Sequence, residues 1–331
     1  MTTSASKPSL ADRLIAGERG ALARMISWSE DADARFPKAL AAVYGRVGSG
    51  QRLGVTGPPG AGKSTLVDEL TRLKRDAECS VGVLAVDPSS PFSGGALLGD
   101  RIRMEERTLD PGVYIRSMAS RGSHGGLARA TVDAFDVMDA FGFDELIVET
   151  VGVGQAEYDV VAAADTVVVV LCPGAGDGVQ AMKSGLLEVA DVLCVNKCDQ
   201  PGADRLSRDL EEAVHIRQAG KEQWQTPVVS VSAGKRQGVA DLWEAIDRHR
   251  SHLAGGERLK ERRRVQRLAQ VKRVVVEHLD EALWHERGYA TLVGAMLDEN
   301  VTPYAAAAQV LGDLLGTLPK RASLPTQKDK A

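Results

Sequence analysis

The run Gly57-Pro58-Pro59-Gly60-Ala61-Gly62-Lys63-Ser64 constrains this chain most, because it fits G-x-x-x-x-G-K-[ST] without a gap. It lies between a predicted strand at residues 53–56 and a predicted helix at 65–73, so a phosphate-binding loop stands where a strand hands over to a helix. Glycines let successive backbone N–H groups turn inward around a phosphate chain. Lys63 is placed to reach the β and γ oxygens, and the Ser64 hydroxyl to hold a magnesium ion, with Thr65 opening the helix.

A chain of 331 residues is long enough to bury a full core, as one large domain with additions or as two smaller ones. Its formal net charge of -4 gives no reason to expect a nucleic-acid partner, which a dominant basic surface would attract. The four cysteines, Cys79, Cys172, Cys194 and Cys198, form no C-x-x-C pair, and three lie in or beside apolar strand-like runs. They are expected to be reduced, mostly buried thiols of a cytosolic protein. No stretch approaches the roughly 20 apolar residues that span a bilayer, and the N-terminal region has no apolar signal core. Asp12, Glu18, Glu30 and Asp31 argue against a transit peptide, which is poor in acids. The expectation is a soluble, cytoplasmic protein that does not engage a membrane.

Residues 1–47 are expected to form an N-terminal helical extension, with Leu10, Leu14, Leu22 and Met25 spaced to share a face and Ser9 suited to cap the start. Across 48–250, apolar β-rich runs at 81–86, 113–116, 145–149, 166–172, 192–195 and 227–231 alternate with helical segments. That alternation predicts an α/β fold of the P-loop NTPase type, a mostly parallel sheet wrapped by helices. Thr166 to Cys172 is apolar on both faces, as a central strand requires. Gly255-Gly256 marks a break before a C-terminal helical arm, 251–318, made of a charged helical stretch at 257–287 and a shorter helix at 303–315. The tail, 319–331, is expected to be disordered.

The basic run Arg258, Lys260, Arg262, Arg263, Arg264, Arg267, Lys272 and Arg273 has no interleaved aromatic residues for base stacking. It is therefore read as the solvated face of a long helix. Leu259, Val265, Leu268, Val271, Val275 and Leu279 give the same segment an apolar seam, which needs a surface on the core domain or on a second subunit. A homodimer is expected.

Asn196-Lys197-Cys198-Asp199 follows the run 192–195, at the carboxyl edge where open α/β sheets bind ligands. The Asp199 carboxylate is suited to accept from both N1–H and N2–H₂ of guanine, whereas adenine offers no such paired donors. Ser232-Ala233, after the next strand, is expected to set a backbone N–H toward the guanine O6. Glu149 closes another buried strand beside the phosphates, where it is placed to hold magnesium or to orient the attacking water. Gly152 and Gly154 permit the mobile backbone that a γ-phosphate sensor needs. Asp87 and Asp100, in and after the Asp87-Pro88-Ser89-Ser90-Pro91 segment, are the remaining candidates for the metal shell, with helix capping and turn chemistry as their alternative reading.

Three longer runs, Asp87 to Met104, Val148 to Gln155 and Pro173 to Lys183, together resemble the MeaB/ArgK GTPases, and the match extends from about Gly54 through Asp199. The resemblance implies a GTP-hydrolysing chaperone of an adenosylcobalamin-dependent acyl-CoA mutase, working with GTP/GDP and Mg2+. It also implies that Ser64, Asp87, Asp100 and Glu149 take part in magnesium binding. Gln180 and Lys183 would then belong to a third switch that moves toward the nucleotide when the mutase is bound. The chain departs from the family at Gly178-Val179, where the pattern has Glu-Leu, which removes a carboxylate from that switch. The alternatives are a kinase using the same loop, against which the guanine-selecting Asp199 argues, and an assembly factor for a metal enzyme. His124, His215 and His278 are too scattered to give the latter a ligand cluster.

Overall fold

The structure is a computed structural model that describes residues 8–87, 109–119, 126–150, 164–174, 186–218 and 224–317. It divides into two compact units, Met1–Gln270 and Val271–Ala331. Among the described residues, the first unit is built on a seven-stranded sheet in the order β3-β2-β4-β1-β5-β6-β7. The strands are β1 Gln51–Thr56, β2 Val81–Asp87, β3 Val113–Ala119, β4 Glu145–Thr150, β5 Thr166–Leu171, β6 Val192–Val195 and β7 Val228–Ser230. Every neighbouring pair is parallel. The expected alternation of strands and helices is therefore present, and β1, which feeds the phosphate loop, is the middle strand.

The double-sided apolar run of β5 shows why the sheet is buried. Val168 and Val170 join one cluster with Leu66, Val67 and Leu70 of α4 (Lys63–Asp76) and Leu242 and Ile246 of α8 (Val239–Ala254). Val167, Val169 and Leu171 join another on the opposite face, with Leu186 of α6 (Leu186–Val189) and Leu210 of α7 (Ala203–Gln218). Alternating side chains of one strand thus meet two helical layers.

The N-terminal residues fold as α1 (Leu10–Ile15), α2 (Arg19–Glu30) and α3 (Phe36–Val43). Ser9 caps α1 as expected, accepting from the Asp12 N–H at 3.2 Å while its own N–H donates to the Asp12 carboxylate at 2.9 Å. Leu14, Leu22 and Met25 are fully buried. They share a cluster with Phe135 and Met138 of α5 (Gly126–Phe141) and with Leu146 and Val148 of β4.

The structure corrects the reading of the basic run. On α9 (Arg258–Asp280), Arg262 pairs with Asp191 at 2.7 Å and Arg263 with Asp165 at 2.6 Å, while Arg267 holds Asp136 through Nη2 at 2.8 Å. Gln266 donates to the Ala164 carbonyl at 2.9 Å and Gln270 to Asp133 at 3.2 Å. These positions share one helical face, and that face is plugged into the amino-terminal edge of the sheet. Only part of the run is solvated, with the Lys260 and Arg264 side chains 78% and 80% exposed. Val265 and Leu268, by contrast, are 58% and 55% exposed. The polar side of this helix faces the protein and its apolar side faces away, so the core of the first unit does not cover the seam at these positions.

Under that plug lies a second ionic layer. Arg52, on β1, bonds Asp136 and Asp139 of α5, both at 2.8 Å, with the three side chains 6%, 0% and 0% exposed. Asp139 also accepts the Gly48 and Gly50 N–H groups at 2.8 Å each, fixing the approach to β1. Glu145, at the start of β4, sits between Lys74 at 2.9 Å and Arg250 at 2.7 Å.

In the second unit, α9 ends at Asp280, and the helical stretch expected to reach 287 continues in π form. A π-helical segment, Glu281–Glu286, follows, then α10 (Tyr289–Asp298) and α11 (Pro303–Thr317). The sequence reading assigned no element between 287 and 303, where α10 lies; Gly288, at φ +70°, makes the break that opens it. Among the described residues of this unit, Ala306 and Val310 are the buried apolar side chains, while Val271, Val275, Val276, Leu279, Leu292 and Leu311 are exposed. The tail 319–331 lies outside the described residues.

Removing one partner from a buried pair leaves the other charge uncompensated. Asp136→Ala is expected to lower stability by about 3–5 kcal/mol, whereas Arg264→Ala should change it by less than about 0.5 kcal/mol. Urea unfolding of the two variants against the parent measures both.

Candidate nucleotide-binding site

The carboxyl edge of the sheet gathers the ends of β1, β4, β5, β6 and β7. The loop after β1 starts at Gly57, whose backbone passes so close to β5 that an added Cβ would lie 2.1 Å from the Val170 carbonyl. Its φ of +143° is also one that side chains rarely adopt. At the loop's end, Gly62 has φ +86°, and an added Cβ would lie 2.4 Å from Asn196 Nδ2. The glycines at these two positions are steric requirements of the fold.

Lys63, the first residue of α4, is buried, and its Nζ donates to the Gly57 carbonyl at 2.8 Å and the Pro58 carbonyl at 2.9 Å. Its ammonium is thereby held across the mouth of the loop. Ser64 Oγ donates to Glu149 Oε1 at 2.6 Å. This brings together two of the residues predicted to share a metal. At the same strand ends, the Thr150 hydroxyl donates to Thr56 Oγ1 at 2.8 Å, tying β4 to β1 where the loop begins.

Asn196, directly after β6 and 2% exposed, connects the two halves of the site. Its Nδ2 donates to the Ala61 carbonyl at 2.8 Å, and its Oδ1 accepts the Ala233 N–H at 3.1 Å. The sequence reading aimed that N–H at the guanine O6; in the structure it is bonded to Asn196. Lys197, in the left-handed region at φ +57°, reaches back to the Gly60 carbonyl at 2.8 Å. Asp199 accepts from Ser232 Oγ at 2.7 Å and from Lys235 Nζ at 2.9 Å. These two bonds, Ser232's first, hold its carboxyl down at about 2, so it is fully ionised near neutrality.

Of the predicted residues, the structure thus brings together Gly57 to Ser64, Glu149, Asn196, Lys197, Asp199, Ser232 and Ala233, with Thr65 following in α4. Asp87 closes β2, with its side chain outside the description. Asp100, Gln180 and Lys183, and residues 151–155, lie outside the described residues. Sequence reasoning missed Thr56, Thr150 and Lys235. Only Lys235 had a signal, as a cation three residues after Ser232.

Comparison with known proteins names the group to which this arrangement belongs. The profile described as Methylmalonyl Co-A mutase-associated GTPase MeaB matches residues 22–287. The chain belongs to the MeaB family. The MeaB relatives include the GTPase ArgK of Escherichia coli, 34% identical over 309 residues that cover 90% of this chain and 93% of ArgK. A protein of Pyrococcus abyssi named as a GTPase is 44% identical over 315 residues, 93% of this chain and 96% of its own. Among solved structures, that of a LAO/AO transport system kinase superposes with a TM-score of 0.71 at 27% identity, covering 95% of this chain and 99% of that one. MeaB proteins are P-loop GTPases, and the α/β fold, the phosphate loop and the Asn-Lys-x-Asp segment agree with that activity.

Gly60, at φ +77°, would carry a Cβ with nothing within 4 Å. Gly60→Ala should therefore cost only the conformational strain, about 1 kcal/mol, and Gly62→Ala, which must also displace Asn196, about 2 kcal/mol or more. Equal unfolding free energies for the two variants would show that the Asn196 bridge does not hold the loop.

Proposed function

We propose that the protein is a GTP-hydrolysing chaperone that binds an adenosylcobalamin-dependent acyl-CoA mutase and gates cofactor loading, protection or reactivation. The observation that carries this reading is the family match over residues 22–287, whose description couples a GTPase to methylmalonyl-CoA mutase. A mouse relative, 32% identical over 285 residues, is named methylmalonic aciduria type A homolog.

Within this reading GTP and GDP occupy the site, with the phosphates on residues 57–65 and the guanine on Asn196, Lys197, Asp199, Ser232 and Ala233. Magnesium would be held by Ser64 and Glu149, with Asp87 and Asp100. The fit is chemical: a hydroxyl and a carboxylate are hard oxygen donors, already within 2.6 Å of each other, and Mg2+ takes few protein oxygens beside phosphate and water. When bound, the ion neutralises charge that develops on the phosphate oxygens. Lys63, released from the Gly57 and Pro58 carbonyls, would bind the same oxygens, and Glu149 would orient water. Gln180 and Lys183 are assigned to the switch that responds to the mutase, where a cation delivered to the phosphates is worth about 10³ to 10⁵ in rate. Gly178-Val179 leaves that segment with one carboxylate fewer than the family pattern.

The exposed apolar side of α9 supports a homodimer, because a row of aliphatic side chains at helical spacing is costly to leave in water. Sedimentation of the full chain should give a dimer, and Val275→Glu with Leu279→Glu a monomer; a monomeric parent would remove this part. No helix among the described residues is long and apolar enough to cross a membrane, and the proposed location is the cytoplasm.

Steady-state GTP hydrolysis, measured alone and with each candidate mutase, tests the function. One mutase is expected to stimulate it, and Lys183→Ala to abolish the stimulation while leaving GDP affinity within about twofold. No stimulation by any mutase would contradict the chaperone reading.

A further inference from the structure

We infer that Lys235 is a specificity-determining residue of the base pocket, which with Ser232 clamps the Asp199 carboxylate in the plane that guanine requires. The inference deepens the proposed function and rests on the assignment of Asp199 to the guanine edge.

An ionised carboxylate has about four acceptor positions, two on each oxygen. Ser232 Oγ takes one on Oδ1 at 2.7 Å, and Lys235 Nζ takes one on Oδ2 at 2.9 Å. One position is left on each oxygen. Two acceptors side by side in one plane match the N1–H and N2–H₂ donors of guanine. Neither clamp bond has to break when the base binds.

The lysine is delivered by a rigid turn. It ends the 3-10 turn Ala233–Lys235, in which its N–H donates to the Ser232 carbonyl at 3.0 Å. Ser232 and Gln237 close the turn with a reciprocal pair of backbone bonds at 3.0 and 3.1 Å. The next residue, Arg236, has φ +58° and anchors to Glu69 of α4 at 3.1 Å, which ties the turn to the helix behind the phosphate loop. Gly238, whose added Cβ would lie 2.3 Å from the Ser230 carbonyl, fixes the far end against β7.

Stability alone does not account for the pair. With the Lys235 side chain 59% exposed, an isolated ion pair of this kind contributes little to folding. Its effect falls on the base instead. A carboxylate held by one oxygen can rotate about χ2 and satisfy N1–H alone, whereas one held by both oxygens offers both acceptors at once. Lys235 therefore raises the preference for a base that carries the 2-amino group.

GDP and IDP differ only in that amino group, so their relative affinity for the full-length protein is the readout. Lys235→Met is expected to weaken GDP about tenfold and IDP about twofold or less, so that the GDP/IDP ratio falls about fivefold. Lys235→Arg should restore the ratio, and the melting temperature of both variants should stay within about 2 °C of the parent. An unchanged ratio, or an equal loss of GDP and IDP, would overturn the inference, since the lysine would then act only as a general attraction for the phosphates. Asp199→Ala separates the two levels. It should abolish the GDP/IDP preference; if it does so while Lys235→Met leaves the ratio intact, only the clamp fails, and if Asp199→Ala keeps the preference, the guanine assignment itself fails.

Discussion

The bond on which the site depends is the one from the Asn196 side chain to the Ala61 carbonyl, because it joins the phosphate loop to the loops that follow β6 and β7. A single buried amide satisfies a carbonyl of one loop and an N–H of another, and a buried amide left without partners would cost about 1–3 kcal/mol at each end. The rest follows from it sterically. Gly62 must lack a side chain for Asn196 to approach, Gly57 must lack one for the chain to leave β1 beneath Val170, and Lys197 takes a left-handed backbone to reach Gly60. Nucleotide binding is thus prepared by contacts that the loops already make with each other.

The two edges of the sheet carry different chemistry. At the carboxyl edge, polar groups are arranged in loops whose partners a nucleotide can replace, as with Lys63 and its two loop carbonyls. At the amino edge, charges are buried and paired with one another, as with Arg52 between Asp136 and Asp139, or Glu145 between Lys74 and Arg250. Arginines of α9 complete the amino edge and leave that helix with its apolar side outward. One edge is built to exchange partners and the other to stay closed.

Much of the fold could be read in the sequence because two-sided strands such as β5 leave a continuous apolar run, and because Ser9 and Asp12 carry a capping signature. The phosphate loop and Asn-Lys-x-Asp segment were legible because their chemistry fixes spacing along the chain. The ionic edge was not legible in the same way. Asp133, Asp136 and Asp139 recur at i, i+3 within a largely apolar helix, which signals a polar seam, yet their partners lie 131 and 137 residues away on α9 and 84 and 87 residues away on β1. Pairing over that separation is set by topology, so Arg262, Arg263 and Arg267 could not be told from Lys260 and Arg264 by charge alone. The helix α10 was missed because its ten residues, Tyr289–Asp298, are mostly apolar and short and carry no side-chain cap to mark their start.

On this reading the carboxyl edge of the sheet selects a guanine nucleotide. Competition of unlabelled GDP and ADP against a fluorescent GDP analogue bound to the unmodified full-length protein, with Mg2+ present, tests it most directly. A site built around paired acceptors for N1–H and N2–H₂ should hold GDP at least about a thousandfold more tightly than ADP. Displacement by ADP at concentrations comparable to GDP would contradict the claim, and with it the roles given to Asp199, Ser232 and Lys235.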